Sequence, residues 1–140
     1  MPRLLADQVI SRLIGLDGVI GIMPVSCALD PAWRQKAKAN VHVDPIIRAI
    51  DIVCQTAGNA RNVGIGTDFV GGQGAEAAPA EIDTIADLSV IVDGLRKRGY
   101  PEDAIAEIMH GNWERVLRSS LPKLVRWLAV SSKAGLLSCR

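Results

Sequence analysis

Apolar residues recur at two different periods along this chain, and the alternation between them predicts its elements. Val9, Ile10, Leu13 and Ile14 fall at helical spacing with Asp7, Ser11 and Arg12 opposite. Residues 6–16 therefore predict an amphipathic helix with an acid in its first turn. Val19-Ile20-Gly21-Ile22-Met23-Pro24-Val25 is short, β-branched and almost continuously apolar, the pattern of a parallel strand covered on both faces. Asp30-Pro31 offers a helix start, and Asp44-Pro45 repeats the signal more strongly. Ile46, Ile47, Ile50, Val53 and Cys54 then share one helical face until Gly58-Asn59 closes it. The next apolar run, Val63-Gly64-Ile65-Gly66-Thr67-Asp68-Phe69, predicts a strand that ends on a lone acid and opens into the loop Gly71-Gly72-Gln73-Gly74.

Beyond that loop the period is helical throughout. Thr84 with Asp87 three residues on has the form of a capping box, and Leu88, Ile91, Val92 and Leu95 form the stripe that follows. Gly99 ends this helix, Pro101 starts another with Ile105, Ile108 and Met109 inward, and Gly111-Asn112 predicts an interruption before Trp113, Val116 and Leu117 resume the pattern. Helix, strand, helix, strand, then helices is the order of a parallel α/β protein. Two parallel strands leave two bare edges and do not stand alone as a sheet. The chain reads as a segment of a larger sheet or barrel.

Composition narrows the class without naming a chemistry. The 140 residues fit one domain, and 49% hydrophobic against 22% charged is the balance of a globular chain. A net charge of +1, with Lys and Arg dispersed, provides no footprint for nucleic acid or a membrane surface. Cys27, Cys54 and Cys139 are too widely spaced for a zinc motif, so they read as buried thiols in a reducing compartment. The first residues lack the pattern of a secretory leader and no run is long enough to span a bilayer, so the expected location is cytoplasmic.

Asp68 is the principal candidate for chemistry, because α/β folds place reactive acids at the carboxyl ends of strands. The structural alternative is an acid bonded to loop amides. Gly64-x-Gly66 followed by Phe69 does not match the dinucleotide fingerprint, and the glycine loop lacks the Lys-Ser or Lys-Thr of a P-loop. His42 and His110 are far apart and read as surface or helix-end histidines. Ser26, His42 and Asp68 make a formal Ser-His-Asp set, but no nucleophile elbow frames the serine.

Several short motifs together resemble one family. Gly18-Val19-Ile20-Gly21-Ile22, Ala49-Ile50-Asp51-Ile52-Val53-Cys54, Val63-Gly64-Ile65-Gly66-Thr67-Asp68-Phe69, Pro79-Ala80-Glu81-Ile82-Asp83 and Gly111-Asn112-Trp113-Glu114-Arg115-Val116-Leu117 resemble, in order and spacing, the last part of the membrane (renal) dipeptidases, a family of zinc metallopeptidases. The resemblance covers roughly residues 2–121, leaving an unmatched apolar and basic tail at 122–140. It implies an α/β fold, the last two parallel strands of a (β/α)8 barrel with their flanking helices. It implies dipeptide hydrolysis by two zinc ions. Asp68 would carry the proton from water to the leaving amine, and Arg3 would bind the substrate's terminal carboxylate through its two-pronged guanidinium.

The same resemblance implies what is missing. The family's zinc ligands belong upstream of the position matching Arg3, so none is expected in this chain, and Val70 stands where the family usually has a second acid. Two divalent cations need about four donors each. The expectation is therefore a carboxyl-terminal segment that is inactive alone, binds no zinc alone, and meets a dipeptide only when an amino-terminal segment completes it. The alternative is a non-catalytic module that self-associates as a homo-oligomer through its strand edges or binds a partner.

Overall fold

The computed structural model describes residues 5–29, 41–69 and 74–121. The order is α1 (Asp7–Gly15), β1 (Ile20–Ile22), α2 (Ser26–Leu29), α3 (Asp44–Ala57), β2 (Val63–Ile65), α4 (Ser89–Lys97), α5 (Glu102–Ala106) and α6 (Asn112–Ser120). Single 3-10 turns lie at Ala75–Ala77 and Ile85–Leu88. β1 and β2 pair in parallel, with Ile20 opposite Val63, Gly21 opposite Gly64 and Ile22 opposite Ile65. This is an α/β fold; a closed barrel is not formed by the described residues. The Asp30-Pro31 helix start, Val70, the first three loop glycine-segment residues 71–73 and the tail at 122–140 lie outside them.

α3 is the central element of the core. Pro45 occupies its first turn, where a missing N–H costs nothing, and Gly58 ends it at φ 71°, a conformation glycine adopts without penalty. The predicted face is the buried one: Ile46 and Ile50 are fully enclosed, and Ile47, Val53 and Cys54 nearly so. They meet Ile20 and Val63 of the sheet, Ile91 and Leu95 of α4, and Ile105 and Ile108 beyond it. Burying each such aliphatic side chain contributes roughly 1.5–3 kcal/mol, so this one layer supplies much of the stabilisation.

Three elements differ from the pattern-based expectation. β1 covers three residues rather than seven, because Pro24 has no N–H to donate and Val25 N–H turns back to the Met23 carbonyl (2.9 Å). β2 likewise stops at Ile65, with one further ladder bond from Gly66 N–H to the Ile22 carbonyl (3.0 Å). β1 is not covered equally on both faces, Ile20 being buried and Gly21 exposed, whereas in β2 both Val63 and Gly64 are buried. The third difference is at Gly111-Asn112, where no break occurs. α5 continues through a π-helical turn, Glu107–Gly111, directly into α6, both residues keeping helical backbone angles. The Thr84–Asp87 capping box is present as expected, with the Asp87 carboxylate accepting from Thr84 N–H at 2.8 Å.

Candidate functional site

The two ends of the sheet are built differently. At the amino end and along β2, α6 places Asn112, Trp113 and Arg115 against the strands. Asn112, fully buried, donates through Nδ2 to the carbonyls of Ala60 (2.7 Å) and Val63 (2.8 Å). Trp113 donates through Nε1 to the Ile65 carbonyl at 3.0 Å. Its ring lies on Gly64, where an added Cβ would sit within 2.4 Å of Nε1, and reaches Gly21 on the neighbouring strand. Arg115 donates to the main-chain carbonyls of Asp17 (3.0 Å) and Arg61 (2.9 Å) and to the Asp17 carboxylate (2.9 Å).

Asp17 also receives both prongs of Arg61, at 2.8 and 2.9 Å. That hydrogen bond, more than the charge of Arg115, holds its carboxyl below the usual range although partial desolvation opposes it. Asp17 is at φ 54°, a left-handed conformation that aspartate tolerates better than most residues. A second cluster fixes the helix layer. Asp51 accepts from Arg98 (2.6 Å) and from the Tyr100 hydroxyl (2.8 Å), which lowers its pKa, while burial raises the Cys54 thiol and makes it a poor nucleophile.

At the carboxyl end Asp68 stands immediately past β2, exposed and at φ 53°. Its carboxylate makes no hydrogen bond to another described residue. The loop-amide alternative turns on residues 70–73, which lie outside the described residues; like Asp17, Asp68 adopts a left-handed conformation that aspartate tolerates. Phe69 beside it turns inward and lines a cleft of about 360 Å³ with Gly74, Ala75, Ala78, Asp83, Thr84 and Ile85. Arg3 lies outside the described residues.

The formal Ser26, His42 and Asp68 set is not assembled. Ser26 is fully buried and its hydroxyl has no hydrogen-bond partner among the described residues, while His42 Nδ1 bonds Glu81 at 2.8 Å. His110 faces Glu114 at 3.4 Å, four residues on along the helix, a pairing legible in the sequence but not drawn from it. Both histidines are exposed, as expected. No group of three His, Cys, Asp or Glu side chains among the described residues converges to hold a metal ion. No helix among them is long and apolar enough to cross a membrane.

Comparison with known proteins gives the geometry its context. The model of the membrane dipeptidases, peptidase family M19, matches residues 1–123. This chain belongs to the membrane dipeptidase family. Its fold superposes on a solved M19 metallopeptidase, the dipeptidase AC, with TM-score 0.72 and 25% identity over 84% of this chain and 33% of that one. A Pseudomonas aeruginosa amidohydrolase shares the fold at TM-score 0.68 and 24% identity, over 84% of this chain and 41% of that one. By sequence, an uncharacterized Klebsiella pneumoniae protein is 28% identical over 118 residues. An uncharacterized dipeptidase of Schizosaccharomyces pombe is 24% identical over 119 residues. The chain spans 41% and 27% of the lengths of these two relatives.

Sequence reading singled out Asp68 but not the amino-end side chains. The signal for Trp113 was present: two glycines at matched positions of neighbouring strands leave a flat face that a large ring can cover. Asn112 gave only a misleading signal, since Gly-Asn ordinarily marks a helix end.

Proposed function

We propose that this chain supplies the carboxyl-terminal corner of an M19 dipeptidase site and does not hydrolyse dipeptides alone. The observation that carries the reading is the family match over residues 1–123 together with Asp68, held exposed and left-handed at the end of β2. In this reading Asp68 moves a proton from the attacking water to the leaving amine, and Arg3 orients the substrate by its carboxylate. The donors among the described residues do not fit the family's two-zinc centre: His42 and His110 are each engaged by a glutamate and do not converge with other described ligands. Zinc and its ligands in this reading belong to the part of the relatives that this chain does not span.

The test is complementation. The chain is co-expressed with the amino-terminal two-thirds of the dipeptidase AC, and zinc-dependent cleavage of a dipeptide is measured. Activity is expected only when both parts are present, and it should fall at least about a hundredfold for Asp68→Asn. Hydrolysis by this chain alone would refute the reading, as would two parts that neither associate nor act together.

A further inference from the structure

The peptide bond between Ile65 and Gly66 is held from both sides of β2. Its carbonyl, that of Ile65, accepts from the Trp113 indole Nε1–H at 3.0 Å. Its N–H, that of Gly66, donates to the Ile22 carbonyl at 3.0 Å. One bond comes from α6 and the other from β1, so the planar unit is fixed against rotation. Past it, Thr67 and Asp68 make no hydrogen bond to another described residue. The Ile65–Gly66 peptide is the last described anchor before the acid. Glycines make the indole bond possible. The ring lies on Gly64 and reaches Gly21 across the sheet, and a Cβ on Gly66 would stand 3.6 Å from the Gly21 Cα. Side chains at 21 and 64 would push the ring off the sheet and carry its N–H away from the Ile65 carbonyl. Gly66 has more backbone freedom than any other residue type, so the chain beyond it takes its direction from the peptide before it.

We propose that Trp113 is a positioning residue for Asp68. Its indole N–H fixes the last anchored peptide of β2, and with it the direction in which Thr67 and Asp68 leave the strand. The inference rests on the reading of Asp68 as the proton carrier. Trp113 acts through the backbone, three residues before the acid, and is no part of the chemistry itself. A displaced proton carrier slows the chemical step and leaves substrate binding as it was, so kcat falls while KM holds. A shift on the order of 1 Å from a distant substitution is enough for a large loss of rate.

Trp113→Phe tests it, because it keeps an aromatic ring over the glycines and removes the donor. Arg115→Ala, on the same helix, is the comparison: it removes bonds to Asp17 and Arg61 alone, both before β2 begins. In the complemented enzyme Trp113→Phe should lower kcat at least about tenfold with KM within about twofold, while Arg115→Ala leaves both within about twofold. In the whole chain by itself, NMR relaxation should show a looser Asp68 amide in Trp113→Phe. Amide exchange should quicken more at Gly66 than at Ile20, whose N–H bonds the Asn62 carbonyl at the other end of the sheet. An active complemented enzyme with kcat unchanged by Trp113→Phe would overturn the proposal, as would an equal fall for Arg115→Ala. If no complemented pair is active, the proton-carrier reading of Asp68 fails separately, and relaxation alone decides the anchor. An Asp68 amide as rigid in Trp113→Phe as in the unmodified chain then overturns it, and a loosened one upholds it.

Discussion

The amino and carboxyl ends of the same two strands obey different rules. At the amino end, the described carbonyls of Asp17, Ala60, Arg61 and Val63 receive donors from α6, which also reaches the Ile65 carbonyl on the last residue of β2. At the carboxyl end, the one acid of interest stands in a left-handed conformation with no described partner. The first end has the properties of a scaffold, with buried groups matched to one another. The second has those of a site whose remaining parts lie elsewhere. A fold can thus keep its structural base when it spans only a third of a relative's length.

The sharpest way to break this comparison is at the amino end. Asn112→Ala removes two donors at once from buried carbonyls and opens a cavity under β2. A loss of roughly 3 kcal/mol is expected in urea unfolding, combining the unsatisfied groups with the lost packing. A loss below about 0.5 kcal/mol, the range of ordinary surface changes, would mean that α6 does not brace the sheet.

A smaller effect separates the ends by pH. The carboxyl of Asp17 is held below its unfolded value of 3.8, first by Arg61 and then by Arg115. A depressed folded value means that the stabilisation is fully present above the unfolded pKa and is lost as pH falls through the folded one. The melting temperature should therefore decline below about pH 4, and Asp17→Asn should flatten that part of the acid limb while lowering the plateau above it. If Asp17→Asn leaves the limb's slope below pH 4 unchanged, the Asp17–Arg61–Arg115 cluster does not contribute to acid sensitivity.

What the sequence made legible follows the same division. The buried face of α3 was readable residue by residue because helical periodicity reports burial directly, and Asp44-Pro45 and Gly58 marked its ends by local backbone chemistry alone. The position of Asp68 at a strand end was readable for the same local reason. Strand length was not: the reach of β1 depends on Pro24 and the Val25–Met23 turn, and β2, whose last ladder bond runs from Gly66 to Ile22, ends with its partner. The bracing by Asn112 was not legible either. Its partners, Ala60 and Val63, are 52 and 49 residues away, and a buried asparagine has the same letter as a helix stop.

The smallest expected effect is the most discriminating for the carboxyl end. Asp68→Gly removes a carboxylate and relieves a φ of 53°. Glycine gains in the folded state what it loses through greater freedom of the unfolded chain, and each contribution is on the order of 1 kcal/mol or less. Stability should change by no more than about 0.5 kcal/mol in either direction, against the large loss at Asn112. The measurement is urea unfolding of both variants side by side. A loss near 2 kcal/mol would show that Asp68 is structurally engaged, by residues 70–73 or by the chain's first four residues, and the contrast between the two ends would disappear. A near-neutral result leaves an acid retained in a left-handed conformation without stabilising this chain, which is what a group positioned for chemistry with missing partners requires.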